Sequence, residues 1–167
     1  IVLLVIAWPY LYLAVKATGE IRRMNTTCLD TGGILPDVST ARDGHANVYF
    51  INDGEGYIAI DGGARVESLS AAMAELGIRP EEVTTVLLTH TDLDHNGAVE
   101  IFKNAEVYIA KAEEPLIDGT VQRTFTEYRL GFNNTMTVPY KTLEDGEFLS
   151  IGNRKVECIL TPGHTPG

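Results

Sequence analysis

The stretch TTVLLTHTDLDH, residues 84–95, joins an apolar segment to a loop that is unusually dense in chemically active side chains. Its first five residues are β-branched or aliphatic, which predicts a buried strand ending before Thr89. Two histidines and two aspartates follow in seven residues, and core packing does not explain that density. They are His90, Asp92, Asp94 and His95. A polar loop at the end of a rigid strand is typical of a functional site.

The residues of this loop alone allow two interpretations. In the first, a tight turn directs His90 and Asp92 to one side and the other two side chains to the opposite side. The loop would then hold two metal ions a few ångströms apart. In the second, Asp92 and Asp94 cap the helix that follows, and the histidines are ordinary polar loop residues.

A second polar motif, TPGHTPG at residues 161–167, lies about seventy residues downstream. It follows a predicted strand, and its two prolines and two glycines constrain the backbone around His164. An isolated histidine is more often structural than a metal ligand. Together with the upstream loop, however, His164 favours the metal-binding interpretation.

The segments around these motifs alternate between predicted strands and helices. Residues 47–51 and 57–60 predict a hairpin, after which Asp61 breaks the strand. Apolar residues at helical spacing predict an amphipathic helix over residues 66–76 that ends at Gly77. The remaining expectations are helix at 96–102, a strand at 106–110, a short helix at 111–117, and three consecutive antiparallel strands at 137–142, 147–151 and 155–160.

Composition limits the classes of function. A chain of 167 residues with 44% hydrophobic residues suits one domain with an N-terminal appendage. The net charge of −10 argues against a surface for nucleic acid, so a small-molecule substrate is the expected partner. The two cysteines form no metal-binding or disulfide motif, and neither a GxSxG elbow nor a P-loop is present.

Residues 1–16 form a hydrophobic segment in which Lys16 is the first charge. This pattern predicts a membrane anchor or export signal, and hence a membrane-anchored or exported protein, although about 20 apolar residues are needed to cross a bilayer. A buried strand or helix of the domain is the alternative. Residues 17–44 are rich in Gly, Thr, Asp and Arg and predict a linker, so the domain is expected to span residues 45–167.

HxDxDH after a hydrophobic strand, followed by TPGHTPG, resembles the metallo-β-lactamase superfamily. The resemblance runs from about residue 45 to the end and includes NVY at 47–49 and the strand ending in IDGG at 60–63. It implies an α/β (α+β) fold, the αββα sandwich of that family, incomplete at its C-terminus. It also implies two divalent metal ions, with zinc expected and iron or manganese as alternatives.

The resemblance assigns a role to each candidate residue. His90 and His164 would bind the first metal, whereas Asp94 and His95 would bind the second. Asp61 would support the site structurally, with an ordinary strand-end turn residue as the alternative.

Two departures from the family pattern affect the predicted site. The usual motif is HxHxDH, so Asp92 replaces a first-metal histidine. An aspartate still ligates, but its harder oxygen shifts preference towards iron, manganese or a mixed site. In addition, the family's bridging aspartate and last histidine follow the TPGHTPG turn, so the site within these 167 residues is expected to be incomplete.

These observations predict a metal-dependent hydrolase in which a metal-activated hydroxide attacks an ester, lactone, thioester, amide or phosphoester. Asp94 is the expected catalytic residue, because it would hold its metal and orient the nucleophile. One alternative is a diiron oxygen or nitric oxide reductase, prompted by the carboxylate of Asp92. Another is a non-enzymatic metal-binding domain held at a membrane.

Overall fold

The computed structural model describes residues 27–124, 131–132 and 136–167, together with Lys16 and Thr18. The strands are β1 (Gly32–Leu35), β2 (Val38–Asp43), β3 (Ala46–Asn52), β4 (Tyr57–Ile60), β5 (Val83–Leu87), β6 (Glu106–Ala110), β7 (Arg123–Thr124), β8 (Gly131–Phe132), β9 (Lys141–Leu143), β10 (Phe148–Ile151) and β11 (Arg154–Glu157). The α-helices among these residues are α1 (Val66–Leu76), α2 (Leu93–Asn96) and α3 (Glu114–Ile117), and 3-10 turns span Pro80–Glu82, Val99–Ile101 and Lys111–Glu113.

The largest sheet has seven strands in the order β1-β2-β3-β4-β5-β6-β9. Strands β1 to β4 pair antiparallel, whereas β4, β5, β6 and β9 pair parallel. The carboxyl ends of β4, β5 and β6 therefore lie at the same side of the sheet, where open α/β sheets collect ligand-binding residues. Asp61 follows β4, the loop with His90 follows β5, and Glu113 lies shortly after β6.

The hairpin predicted for residues 47–51 and 57–60 is confirmed as β3 and β4. Its turn is held by the buried carboxylate of Asp53, which accepts the backbone N–H groups of Glu55 and Gly56 at 2.9 and 2.7 Å. The parallel neighbour β5 then continues the sheet on the other side of β4.

The helix predicted over residues 66–76 is confirmed as α1. Its apolar face buries Leu69 and Met73 completely, in one core with strand residues such as Phe50. Burying a side chain of this size stabilises the fold by about 1.5–3 kcal/mol. The helix ends at Gly77, whose φ of 70° lies in the left-handed region that favours glycine.

The prediction that residues 17–44 are a linker is wrong for their second half. β1 and β2 are the first two strands of the large sheet, and β2 pairs with β3 along its whole length. Thr40 and Asp43 are almost fully buried, together with Ala41. An apolar run is missing from β2 because polar groups with internal hydrogen bonds occupy several of its buried positions. The sheet therefore begins at Gly32, before the predicted domain start at residue 45.

The prediction of three consecutive antiparallel strands after residue 137 is confirmed for the last two strands and wrong for the first. β10 and β11 form an antiparallel hairpin, but β9 joins the large sheet parallel to β6. The helix predicted over residues 96–102 is wrong, because α2 ends at Asn96 and a 3-10 turn at Val99–Ile101 follows it. At Gly97 the backbone passes so close to Ala64 that a Cβ would lie 2.4 Å from its carbonyl oxygen.

The predicted anchor at residues 1–16 lies outside the described residues except for Lys16. In the part of the chain that the structure describes, no helix is both long and apolar enough to cross a membrane. The membrane segment therefore stays a prediction.

Candidate metal centre

Asp61 holds both ends of the polar loop. Its carboxylate accepts hydrogen bonds from the backbone N–H and the hydroxyl of Thr89 at 2.8 and 2.9 Å, and its other oxygen lies 2.8 Å from Nδ1 of His95. The φ of Asp61 is 69°, a left-handed conformation that is uncommon outside glycine. Such conformations persist where the surrounding structure enforces them, often at functional sites. These contacts favour the support role over an ordinary turn residue.

The contact with Asp61 also determines how His95 faces the site. A carboxylate accepts hydrogen bonds, so Nδ1 carries the proton and Nε2 keeps its lone pair for a metal. Burial lowers the pKa of His95, but the hydrogen bond to Asp61 and the charges of Asp61, Asp94 and Asp92 outweigh it. Without a metal, the pKa of His95 therefore lies above its ordinary value.

The five predicted ligands come together in two groups that share His90. The first triad is His90, Asp92 and His164, and the second triad is His90, Asp94 and His95. Within each triad the potential ligand atoms all lie within 4.8 Å of one another. The rings of His90 and His95 have centroids 4.0 Å apart, and those of His90 and His164 are 4.9 Å apart.

The first triad joins two segments that are distant in sequence. Nε2 of His164 lies 3.0 Å from Oδ2 of Asp92, although the two residues are 72 positions apart. The same Oδ2 lies 3.6 Å from Nε2 of His90. Asp92 thus stands between the two imidazoles, and its side chain is 7% exposed.

Nε2 of His90 is the atom of this arrangement that is available to a metal. Among the described residues it is buried and has no hydrogen-bond partner, whereas Nδ1 of the same ring lies 3.0 Å from the hydroxyl of Thr89. A buried polar atom without a partner costs about 1–3 kcal/mol. Imidazole nitrogens and a carboxylate oxygen form a donor set that suits zinc or iron, and binding such an ion would satisfy Nε2.

The helix-cap interpretation of Asp92 receives less support. Asp92 does occupy the N-cap position of α2, but its side chain makes no capping hydrogen bond in the described structure. Its carboxylate lies against His164 instead. Asp94, in the first turn of α2, has Oδ2 3.7 Å from Nε2 of His95.

His45 lies beside the second triad. Its Nε2 is 3.4 Å from Oδ2 of Asp94, and its side chain is 40% exposed. The sequence places His45 only at the entry to β3, so its proximity to Asp94 follows from the fold.

Sequence reasoning missed two buried polar residues that hold the loop. Glu113 is completely buried and accepts hydrogen bonds from the backbone N–H and the hydroxyl of Thr91. Asn96 is also buried, and its side-chain amide donates to the carbonyl of Thr91 at 2.8 Å. Glu113 stands in KAEEP beside Glu114, and nothing in that local pattern distinguishes the buried glutamate from the other.

Comparisons with known proteins find a matching family and similar sequences. The family model described as "Metallo-beta-lactamase superfamily" matches residues 41–167. The chain is 31% identical over 136 residues to a "Probable polyketide biosynthesis zinc-dependent hydrolase" of Bacillus subtilis (strain 168), covering 78% of this chain and 52% of that protein. It is 29% identical to a "Probable metallo-hydrolase" of the same organism, covering 73% of this chain and 57% of the relative. The chain thus spans about half the length of these curated relatives.

Solved structures confirm the fold. The Rm3 metallo-beta-lactamase superposes with a TM-score of 0.72 at 23% identity, covering 88% of this chain and 56% of that one. BJP-1, a subclass B3 metallo-beta-lactamase of Bradyrhizobium japonicum, gives a TM-score of 0.70 at 22% identity, with coverage of 87% and 57%. At these identities the likeness extends to the fold alone, and it agrees with the predicted fold class.

Proposed function

The chain belongs to the metallo-β-lactamase superfamily, and from this membership we propose that it carries the metal-binding centre of a metal-dependent hydrolase. The proposed substrate is a small molecule with an ester, lactone, thioester, amide or phosphoester bond. Curated relatives named as zinc-dependent hydrolase and metallo-hydrolase support the reaction class. A shared fold does not transfer a substrate.

The observation that carries the proposal is the convergence of the first triad. Two histidines and one aspartate from separate loops meet around the buried Nε2 of His90, which has no hydrogen-bond partner among the described residues. Catalytic zinc sites typically have three protein ligands and leave a position open. We propose that His90, Asp92 and His164 hold the first ion.

The second ion would be held by Asp94 and His95. Asp61 keeps the Nδ1–H of His95 engaged, so that Nε2 of the ring would be free to hold the ion. Asp94 would have two tasks, because its carboxylate would hold the ion and orient the attacking water. When bound, divalent ions polarise a substrate oxygen and activate water at neutral pH.

Zinc is the proposed metal for both positions. The histidine ligands and the zinc-dependent relative support zinc, whereas Asp92 as a harder donor leaves iron or manganese as alternatives. The two positions differ in their ligand supply: the first triad provides three ligands, while the second position has only Asp94 and His95 to itself.

The test combines metal binding with a substrate panel. Metal-free full-length protein is titrated with Zn²⁺, and the loaded protein is assayed on chromogenic esters, lactones, thioesters, amides and phosphoesters, with and without chelator. We expect bound zinc and hydrolysis of at least one class that the chelator abolishes. Asp94→Asn should retain the first ion and lose most hydrolysis. Zinc binding without hydrolysis of any class would contradict the hydrolase and favour a non-enzymatic metal-binding domain.

An iron redox enzyme is the second candidate. Two histidines and one carboxylate form the set that non-haem Fe(II) oxygenases use, and the first triad has this composition. Anaerobic loading with Fe²⁺, followed by measurement of oxygen or nitric oxide consumption with an electron donor, tests it. Consumption of oxygen or nitric oxide that is faster than hydrolysis of any substrate would favour the redox enzyme over the hydrolase.

Membrane association through residues 1–16 completes the proposal for the protein as a whole. The support is compositional, because residues 1–15 contain no charged side chain. A hydrophobic segment of this kind would hold the metal centre at a membrane or direct its export.

A further inference from the structure

Glu113 is buried, although its local sequence does not suggest this. It ends the 3-10 turn that follows β6, on the side of the sheet where the polar loop lies, and its solvent exposure is 0%. An ionisable side chain is rarely buried unless its polar atoms are satisfied. The question is therefore what this carboxylate contacts.

The two oxygens of Glu113 contact the two motifs that supply the first triad. Oε2 accepts the backbone N–H and the hydroxyl of Thr91, at 3.0 and 2.9 Å. Oε1 accepts the backbone N–H of Gly167 at 2.7 Å. Thr91 lies between His90 and Asp92, and Gly167 belongs to the same TPGHTPG turn as His164.

The approach at Gly167 is close enough to exclude a side chain. A Cβ at position 167 would lie 2.6 Å from Cγ of Glu113 and 2.8 Å from Oε1. Glycine therefore lets the turn contact the buried carboxylate directly. The turn also bonds to itself, since the N–H of Gly163 donates to the carbonyl of Thr165 at 2.9 Å. His164 is thus carried by a short turn whose end is fixed by Glu113.

We propose that Glu113 is a positioning residue that joins the polar loop to the TPGHTPG turn and so sets the distance between His164 and the pair His90 and Asp92. The inference rests on the proposed metal centre, because the distance matters only if the three side chains share an ion. Glu113 itself takes no part as a ligand. Outer residues that orient metal ligands typically contribute about 10–100-fold to metal affinity.

Glu113→Gln is the direct test because it preserves the volume of the side chain. A glutamine amide retains one acceptor oxygen and replaces the other by an NH₂ group, which cannot accept an N–H. Either Thr91 or Gly167 then loses its acceptor. We expect Zn²⁺ affinity, measured by competition with a chromogenic chelator, to fall about 10–100-fold.

Asp53→Ala is the control. Asp53 is also a buried carboxylate that accepts two backbone N–H groups, but both bond to Oδ1 and belong to the turn between β3 and β4, so alanine and not asparagine removes the acceptor. Chemical denaturation of both metal-free variants measures the general cost of removing such an acceptor. Destabilisation in both variants with loss of zinc affinity only in Glu113→Gln supports positioning. A parallel loss of affinity in both overturns it in favour of a general structural role.

A double-mutant cycle with His164→Ala separates positioning from other effects. If Glu113 acts by positioning His164, Glu113→Gln should weaken zinc binding much less once His164 is removed. Equal weakening in both backgrounds, or unchanged affinity in the single variant, overturns the inference. If Glu113→Gln does not fold, Thr91→Val removes only the hydroxyl bond, and a smaller loss with the same dependence on His164 is expected.

These measurements do not depend on turnover. If the parent protein binds zinc but hydrolyses nothing, the proposed hydrolase fails while the role of Glu113 is still decided by affinity. If the parent hydrolyses a substrate and Glu113→Gln binds zinc as tightly as the parent, the positioning role fails alone.

Discussion

Replacing Asp92 by alanine gives opposite predictions for a metal ligand and for a helix cap. A side-chain cap contributes about 0.5–2 kcal/mol to stability, so its loss would destabilise the metal-free protein. No capping bond is present at Asp92 in the described structure. Its carboxylate contacts Nε2 of His164, whose side chain is 62% exposed, and pairs with an exposed partner contribute little to stability. We therefore expect metal-free Asp92→Ala to be about as stable as the parent.

The effect of this substitution on zinc should be large. The first triad falls from three ligands to two, below the number usual in catalytic zinc sites. Changing a residue that only orients a ligand costs about 10–100-fold in affinity, so losing the ligand itself should exceed about 100-fold. At 1.4 kcal/mol for each factor of ten, this corresponds to more than about 2.8 kcal/mol.

Two measurements on purified Asp92→Ala decide the matter: urea denaturation of the metal-free protein and a zinc competition titration. Glu100→Ala, at an exposed carboxylate in the 3-10 turn after α2, is the control and should change neither quantity. Asp92→His should retain the ion and shift preference towards zinc over iron or manganese. Unchanged zinc affinity in Asp92→Ala, with lower stability, would refute the ligand assignment.

Three further predictions concern binding order, pH and the N-terminus. Calorimetric titration with Zn²⁺ should resolve two binding steps, and His164→Ala should lose the tighter one. A single step with two equivalent sites would contradict the assignment. The pKa of His95 is higher in the metal-free folded protein than its unfolded value near 6.5. Protonation of His95 therefore stabilises the fold fully at pH values below the unfolded pKa. This contribution disappears as pH rises through the folded pKa. Unfolding measured across that range should lose this dependence in Asp61→Asn. The protein with residues 1–16 should sediment with membranes and a variant beginning at Thr27 should not, whereas identical fractionation would refute the anchor.

The candidate ligands were accessible from sequence because their chemistry is concentrated in two short motifs. Four of them lie in one loop after an apolar strand, and His164 lies in a turn rich in proline and glycine. The hairpin and α1 were equally accessible, since local periodicity and turn residues specify them. These features depend on neighbours within a few positions in the chain.

The features that sequence did not reveal depend on distant parts of the chain. Glu113 and Asp43 look like ordinary surface carboxylates, yet both are buried with backbone N–H partners. The same is true of β9, which pairs parallel to β6, and of β2, which pairs with β3, because each pairing depends on which strand becomes the neighbour. The polarity of a short segment does not predict which strand it will pair with or which backbone N–H group a carboxylate will accept.

The 72 positions between Asp92 and His164 have a consequence for biosynthesis. At about 5–20 residues per second, a ribosome adds His164 roughly 4 to 14 seconds after Asp92. During that interval the nascent chain holds the polar loop without its distant histidine, and closing so long a loop adds to the entropic cost of the site. On the ribosome, zinc binding by the complete first triad would therefore come only after all residues of β4, β5 and β6 have been synthesised.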